Sequence, residues 1–101
     1  MSPRIVLTRE AENDLSEIVE WYENQRSGLG FNFLAEVDAG FRLLASDPRL
    51  FPEQYKGVRR YLVRRFPYKV FYRLVEDNVV VLAVVHGGRD PAWIKKRISP
   101  T

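Results

Sequence analysis

The sequence predicts an α+β domain in two layers. An N-terminal strand leads into an α-helical hairpin that packs on a small antiparallel β-sheet, in the order β-α-α-β-β-β. Three observations carry this. Two amphipathic stretches of helical period lie between Arg9 and Asp47, separated only by Ser27-Gly28-Leu29-Gly30. From Arg59 to His86, runs rich in β-branched and aromatic residues follow one another through short links. The chain's 101 residues, 46 % of them apolar, suffice for one unaided core, and residues 1–101 read as a single domain.

Arg4 to Thr8 is short and β-branched and reads as a strand. Thr8 suits a helix N-cap, its side chain accepting from an unpaired backbone N–H, and Glu10 and Glu12 suit the positive end of the helix dipole. Ala11, Leu15, Ile18, Val19 and Tyr22 lie on one face of a helix expected from Arg9 to Arg26. Glu10, Asp14, Glu17, Glu20 and Glu23 fill the other side and read as solvated surface. The paired glycines at 28 and 30 favour a tight turn. Phe33, Leu34, Val37, Phe41, Leu44 and Ala45 then repeat with helical spacing, and Glu36 and Asp38 read as surface. Asp47-Pro48 ends the second helix, because proline disfavours a helical conformation in the residue before it. Two helices with so short a link form an antiparallel hairpin.

Pro48 to Gly57 reads as irregular. Arg59 to Arg65 alternates imperfectly, and Phe66-Pro67 marks a turn. Tyr68 to Val75 alternates, with Tyr68, Val70, Tyr72 and Leu74 on one face and Lys69, Phe71, Arg73 and Val75 on the other. Val70, Tyr72 and Leu74 are the expected core positions. Glu76-Asp77-Asn78 suits a hairpin link, and Val79 to His86 is apolar on both faces, as a covered central strand is. Gly87-Gly88 ends that strand. Asp90 as cap and Pro91 at the first helical position then suit a short terminal helix.

Charge divides the chain. Residues 1–55 carry five basic and ten acidic side chains, whereas residues 56–101 carry eleven basic and three acidic. An anionic partner is therefore expected at the second half. There are no cysteines, which excludes disulfides and thiolate chemistry. Met1 to Arg9 does not resemble a signal peptide, and the longest apolar run, Val79 to Val85, is too short to span a membrane. A cytoplasmic location without membrane contact is expected. There is no Gly-rich phosphate loop, His/Cys metal cluster, nucleophile elbow or carboxylate pair, so neither metal nor cofactor is expected.

Lys56, Arg59, Arg60, Arg64, Arg65, Lys69 and Arg73 occur within eighteen residues that contain no acid, interleaved with Tyr55, Tyr61, Phe66, Tyr68, Phe71 and Tyr72. Such cations bind phosphates, and exposed aromatic rings stack on unpaired bases. If all seven neutralised RNA phosphates, the log–log salt slope would be about −5. The other reading places the aromatics in the core and the bases at its rim. His86 is the one side chain that titrates near neutrality when unperturbed, at the end of a central strand. Arg89 follows a glycine pair that permits a sharp turn, placed to clamp an anion or to pair with Asp90.

Ala11-Glu12-Asn13-Asp14-Leu15, Arg59-Arg60, Phe66-Pro67-Tyr68-Lys69-Val70-Phe71-Tyr72 and His86-Gly87-Gly88-Arg89-Asp90-Pro91 with Trp93 together resemble the RelE/ParE superfamily of bacterial toxins, over nearly the whole chain. The resemblance implies a RelE/ParE-like fold and a toxin of a type II toxin–antitoxin module, associated with growth arrest and plasmid stabilisation. It implies a cognate antitoxin, a small protein whose disordered C-terminal segment folds on binding into a toxin–antitoxin hetero-oligomer. That antitoxin is expected to cover the hairpin and sheet through Leu15, Ile18, Trp21, Tyr22, Phe71 and Arg73. RelE-like members cut mRNA on the ribosome without metal, using basic residues and a tyrosine. ParE-like members inhibit DNA gyrase and do not cleave RNA.

By this resemblance Lys69 and Arg89 stand where the nucleases place two arginines. Arg60 replaces one of their lysines, and the other is either lost to Leu62 or shifted to Arg64. Where the nucleases place a tyrosine base, this chain has Trp93, whose indole N–H only donates. Tyr61 or His86 would have to substitute. Target or anion binding is thus expected at Arg59, Arg60, Arg64, Arg65, Lys69, Arg89 and Trp93, and a nuclease would use Arg60, Lys69, Arg89 and His86. The ParE-like reading, gyrase inhibition, is the one these positions favour. The alternatives are a RelE-like ribosome-dependent mRNA endonuclease and a catalytically inactive member that only binds its antitoxin.

Overall fold

The computed structural model describes residues 3–99. β1 (Ile5–Leu7) leads into α1 (Arg9–Gln25) and α2 (Leu29–Ser46), followed by β2 (Glu53–Tyr55), β3 (Val58–Leu62), β4 (Tyr68–Val75), β5 (Asn78–His86) and α3 (Pro91–Ile98). Both expected caps are present. Thr8 Oγ1 accepts from the Ala11 N–H at 3.1 Å, and Asp90 Oδ1 from the Ala92 N–H at 2.9 Å. The break between α1 and α2 uses Gly28 at a φ of +90°. Glu23 reaches across this break and accepts from the N–H groups of Gly28 and Gly30 at 3.1 and 2.8 Å. These donors would otherwise be unpaired at the start of α2, where a carboxylate also suits the dipole. Glu23 is therefore a cap and not the solvated surface expected of it.

The α+β class and the hairpin-on-sheet arrangement are as expected, but the sheet is larger and mixed, with order β1-β5-β4-β3-β2. β1 runs parallel to β5, with Ile5 opposite Val79 and Leu7 opposite Val81. The connection between them is most of the chain, long enough for a parallel pair. β2 lies in the stretch expected to be irregular. It pairs Glu53 with Arg59 and Tyr55 with Val58 across a turn in which Gly57 takes a φ of +74°. β5 carries one extra residue, since Phe71 faces Ala83 while Tyr72 faces Val81, leaving Leu82 as a bulge. The bulge resets the alternation. Val79, Val81 and Val84 join the core under the hairpin, while Ala83 and Val85 join a second core under α3.

The two cores differ in size. Under the hairpin, Ala11, Ile18, Tyr22, Phe33, Val37 and Leu44 close over Tyr61, Val70 and Tyr72. Rings of Tyr22, Phe33, Phe66 and Tyr68 meet with centroids 5.1 to 6.1 Å apart, mostly edge to face. Each such pair adds about 0.5–1.5 kcal/mol beyond the burial itself. This cluster anchors the Phe66-Pro67-Tyr68 turn to the hairpin. Gly40 leaves room for the Tyr61 ring, whose hydroxyl donates to the Val37 carbonyl at 3.3 Å. On the other face α3 sets Ile94 and Ile98, with Trp93 at the margin, on Val58, Phe71, Ala83 and Val85, so the second layer of helix is partial.

Candidate functional site

Strand alternation splits the basic run between the two faces of the sheet. Arg59 sits opposite Tyr72 on the hairpin face, and its Nη1 donates to the Phe51 carbonyl at 2.7 Å. Arg60 sits opposite Phe71, and Lys69 sits between Leu62 and Val85, on the face that α3 partly covers. Arg64 and Arg65 form the exposed tip of the β3–β4 link, with Arg65 at a φ of 72° and its Nε 3.8 Å from Glu36. That ion pair is too exposed to contribute much. The basic run is thereby divided: Arg59 and Arg65 belong to the hairpin side, Arg60 and Lys69 to the other.

A cleft lies between α1 and α3, where the end of β5 meets the start of α3. Tyr68, His86, Arg89, Trp93 and Arg97 line it, with Ile18 and Glu17 from α1. Hydrogen bonds from Gly87 N–H to the Pro67 carbonyl at 2.8 Å and from Arg89 N–H to the His86 carbonyl at 3.0 Å shape the loop that delivers Arg89. The Arg89 guanidinium stacks on the Trp93 ring 3.9 Å from its centroid, and that of Arg97 lies 4.7 Å from it. Trp93 and Arg97, four residues apart, share a side of α3, while Ile94 and Ile98 point into the core. An adjoining groove along Phe66, Pro67, Lys69, Gly87 and Gly88 shares Tyr68 and His86 with the cleft. The Lys69 stem runs past Gly87, its Cε 3.6 Å from where a Cβ would stand. Arg60 is on the same face but lines neither recess.

Asp14 holds the cleft together. Its carboxylate accepts from Arg97 Nη1 at 2.6 Å and Nη2 at 3.1 Å, and from the Val84 N–H at 3.0 Å. β1 pairs with β5 only over Val79 to Val81, so the Val84 N–H lies beyond its reach, and Asp14 supplies the acceptor. The side chains of Asp14 and Arg97 are only 14 % and 19 % exposed. The bonds from Asp14 hold the guanidinium above its ordinary pKa, with burial opposing. One carboxylate thus ties α1, β5 and α3. Asp14 was expected on the solvated face of α1, but it sits three residues after Ala11 and four before Ile18, at the edge of the buried stripe. That spacing was the available signal. Among the described residues no cluster of three His, Cys, Asp or Glu is arranged to hold a metal ion.

The sequence matches the family described as "ParE toxin of type II toxin-antitoxin system, parDE" over residues 5–91. The chain belongs to the ParE toxin family. It is thus a type II toxin–antitoxin toxin of the RelE/ParE superfamily. Toxin ParE2 of Mycobacterium tuberculosis is 28 % identical over 100 residues, covering 98 % of this chain and 95 % of that one, in both strains CDC 1551 / Oshkosh and H37Rv. The fold resembles the chromosomal ParDE system from P. aeruginosa, with TM-score 0.73 and 18 % identity over 84 % of this chain and 96 % of that one. It also resembles free E. coli toxin RelE, in a double-arginine variant, with TM-score 0.71 and 14 % identity over 98 % and 100 % of the two chains. The RelBE2 toxin–antitoxin complex of M. tuberculosis gives TM-score 0.59 and 23 % identity over 85 % and 99 %.

In this ParE-family toxin the candidate proton acceptors are constrained. Tyr61 is buried with its hydroxyl on the Val37 carbonyl. Burial first, then the Tyr72 phenol and the Asp38 carboxylate, push its pKa far up. It is neither exposed nor acidic enough to serve as a base. His86 is exposed, but its Nδ1 accepts from the Gly88 N–H at 3.0 Å. In the neutral imidazole this leaves the proton on Nε2, as a donor. The residues expected to meet an antitoxin are also distributed unevenly. Ile18, Tyr22 and Phe71 lie inside the toxin's own cores, with Phe71 only 1 % exposed under α3, so their side chains have little surface to present. Leu15 is half-buried, and Trp21 is 55 % exposed. Arg73 is half-buried beneath the last turn of α3, where its Nη2 donates to the Ile98 carbonyl at 3.4 Å.

Proposed function

We propose that this toxin acts by binding, as an inhibitor of DNA gyrase, and that a cognate antitoxin neutralises it. One observation carries the reading. The Trp93 ring lies under the guanidinium groups of Arg89 and Arg97, near where, by the resemblance, the RelE-like nucleases place a tyrosine. An indole so covered offers no proton acceptor, while the surrounding cations suit an anionic or carbonyl-rich surface. Arg60, Lys69, Arg89 and Trp93 make the target-binding face, with Arg64 at its margin. Such a toxin acts in the cytoplasm, where gyrase is. Purified protein in a gyrase supercoiling assay tests this: inhibition at stoichiometric toxin is expected, and normal supercoiling at saturating toxin refutes it.

The exposed apolar side chains of the hairpin support the antitoxin part of the reading. Trp21 and Phe31 are 55 % and 69 % exposed, and Phe31, Leu34 and Phe41 border a groove along α2. Apolar groups of this size left in water around a groove mark a protein-binding site. A folding-on-binding segment of a small antitoxin would cover them. Co-expression with the open reading frame beside the toxin's gene, followed by size exclusion, should give a stable complex.

A second reading, a ribosome-dependent mRNA endonuclease, draws on Lys69 and Arg89 lying on grooves that share Tyr68 and His86. Primer extension on cellular mRNA after induction separates the two. Cuts at the ribosomal A site would favour the nuclease, and their absence together with growth arrest would favour gyrase.

A further inference from the structure

A second cationic recess lies at the opposite end of α3 from the Trp93 cleft. Tyr55 of β2, Val58 of β3, Arg73 of β4, and Lys95 and Ile98 of α3 line it, with Lys56 beside them, around a cavity of about 260 Å³. Among the described residues no acidic side chain borders it. Arg73 lies on the same face as Lys69 and Phe71, but farther along β4. Its contact to the Ile98 carbonyl, at 3.4 Å, is long, and its buried Nε has no hydrogen-bond partner among the described residues. It also has no ion-pair partner among them. A half-buried guanidinium with an unfilled donor is unfavourable unless something completes it.

The chemistry of the recess selects its occupant. Arginine's Nε and Nη2 donors form one edge of a planar fork that matches the two oxygens of a carboxylate. Lys56 and Lys95 supply further positive charge beside it. The Tyr55 ring already carries the Lys95 ammonium 5.8 Å above it, so it is not open for stacking a nucleic-acid base. Val58 and Ile98 add short aliphatic walls. We infer that this recess seats an Asp or Glu side chain from an acidic peptide segment of the toxin's protein partner. The inference rests on the reading of the chain as a toxin held by such a partner, and it gives one acidic anchor of that partner a place. The excess of basic over acidic side chains in residues 56–101, eleven to three, supplies the long-range attraction. On entry the carboxylate meets the two lysines, and a rotation of the Arg73 side chain turns Nε and Nη2 onto its oxygens.

Side-chain NMR on the 15N-labelled full chain tests this, with the Arg73 Nε–Hε resonance assigned through Arg73→Lys. The probe is the acetylated, amidated tripeptide Leu-Glu-Leu, with Leu-Gln-Leu as the neutral control and inorganic phosphate as the competing anion. The Glu peptide should shift the Arg73 resonance saturably, and the Gln peptide should bind about tenfold more weakly or worse. Lys56→Gln/Lys95→Gln should weaken the Glu peptide about fivefold while backbone amide shifts elsewhere stay in place. An Arg73 resonance unmoved by about 20 mM Glu peptide overturns the inference, as does equal response to both peptides. Tighter binding of phosphate than of the Glu peptide also overturns it and would make the recess a phosphate site. The titration reads no toxicity. Its failure leaves the toxin reading standing, and a failed gyrase assay leaves the titration's answer standing.

Discussion

The two faces of the sheet are built for different work. Under the hairpin, the strands present valines, Tyr61 and Tyr72 to a continuous aromatic and aliphatic core. On the other face an eight-residue helix covers only the middle. Both of its ends border recesses lined with cations: Lys69 and Arg89 at one, and Lys56, Arg73 and Lys95 at the other. Arg59 and Arg60 display the contrast within one peptide bond. Arg59 turns to the hairpin side and bonds the Phe51 carbonyl, while Arg60 turns to the side left open. Charge lies where coverage is thin. The larger core lies under the hairpin, and the smaller one under α3 is flanked by cations.

Breaking the hairpin face should have the largest effect. Phe33→Ala removes a fully buried ring that packs on Tyr22, Phe66 and Tyr68. It should cost about 3–5 kcal/mol by urea unfolding. A loss below about 1 kcal/mol would show that this core does not hold the fold. Next is the tie between the faces. Asp14→Asn leaves Arg97 buried without its counter-charge, and should cost about 2 kcal/mol and speed amide exchange in α3. Asp38→Asn, which breaks the exposed Arg42–Asp38 pair, should change stability by about 0.5 kcal/mol or less.

Alkaline titration separates the faces again. Burial raises the phenol pKa of Tyr61, Tyr72, Tyr22 and Tyr68. A raised folded pKa means that the unfolded chain loses these protons first. Stability is therefore full below about pH 10 and falls above it, by about 1.4 kcal/mol per pH unit for each tyrosine still protonated in the folded state. Absorbance at the tyrosinate band should show Tyr61 ionising only as the protein unfolds. The smallest effect concerns the charges. With Arg60, Lys69 and Arg89 as the phosphate contacts of the target-binding face, binding of single-stranded RNA should show a log–log salt slope of about −2 rather than about −5. The steeper slope would mean that the seven bases act together after all.

Much of this was legible because it is local. Thr8 and Asp90 as caps, Pro91 at the first turn and the β4 alternation are short-range signals. The parallel pairing of β1 with β5 is not, since its partners lie more than seventy residues apart. β2 escaped because Glu53-Gln54-Tyr55 has the polarity of a loop and becomes a strand only by pairing across Gly57. Asp14 and Glu23 looked like members of an acidic surface, because their partners, Arg97, Val84 and the start of α2, come from elsewhere. The split of the basic run was available in the alternation itself. Neighbouring residues of a strand face opposite ways, so Arg59 and Arg60 had to separate. What the sequence alone did not carry was that Tyr61 would be sealed and that His86 Nδ1 would be engaged by Gly88.

On the proposed reading, exposed cations beside Trp93 recognise the target by binding and contribute little to stability. A dose–response of gyrase supercoiling with the parent toxin and with Arg89→Ala, alongside urea unfolding of both, tests it most directly. Arg89 is exposed and stacks on Trp93. The parent toxin should inhibit supercoiling, and Arg89→Ala should need about tenfold more protein for the same inhibition while unfolding within about 1 kcal/mol of the parent. Equal inhibition by the two proteins, or no inhibition by either at saturation, would contradict the claim.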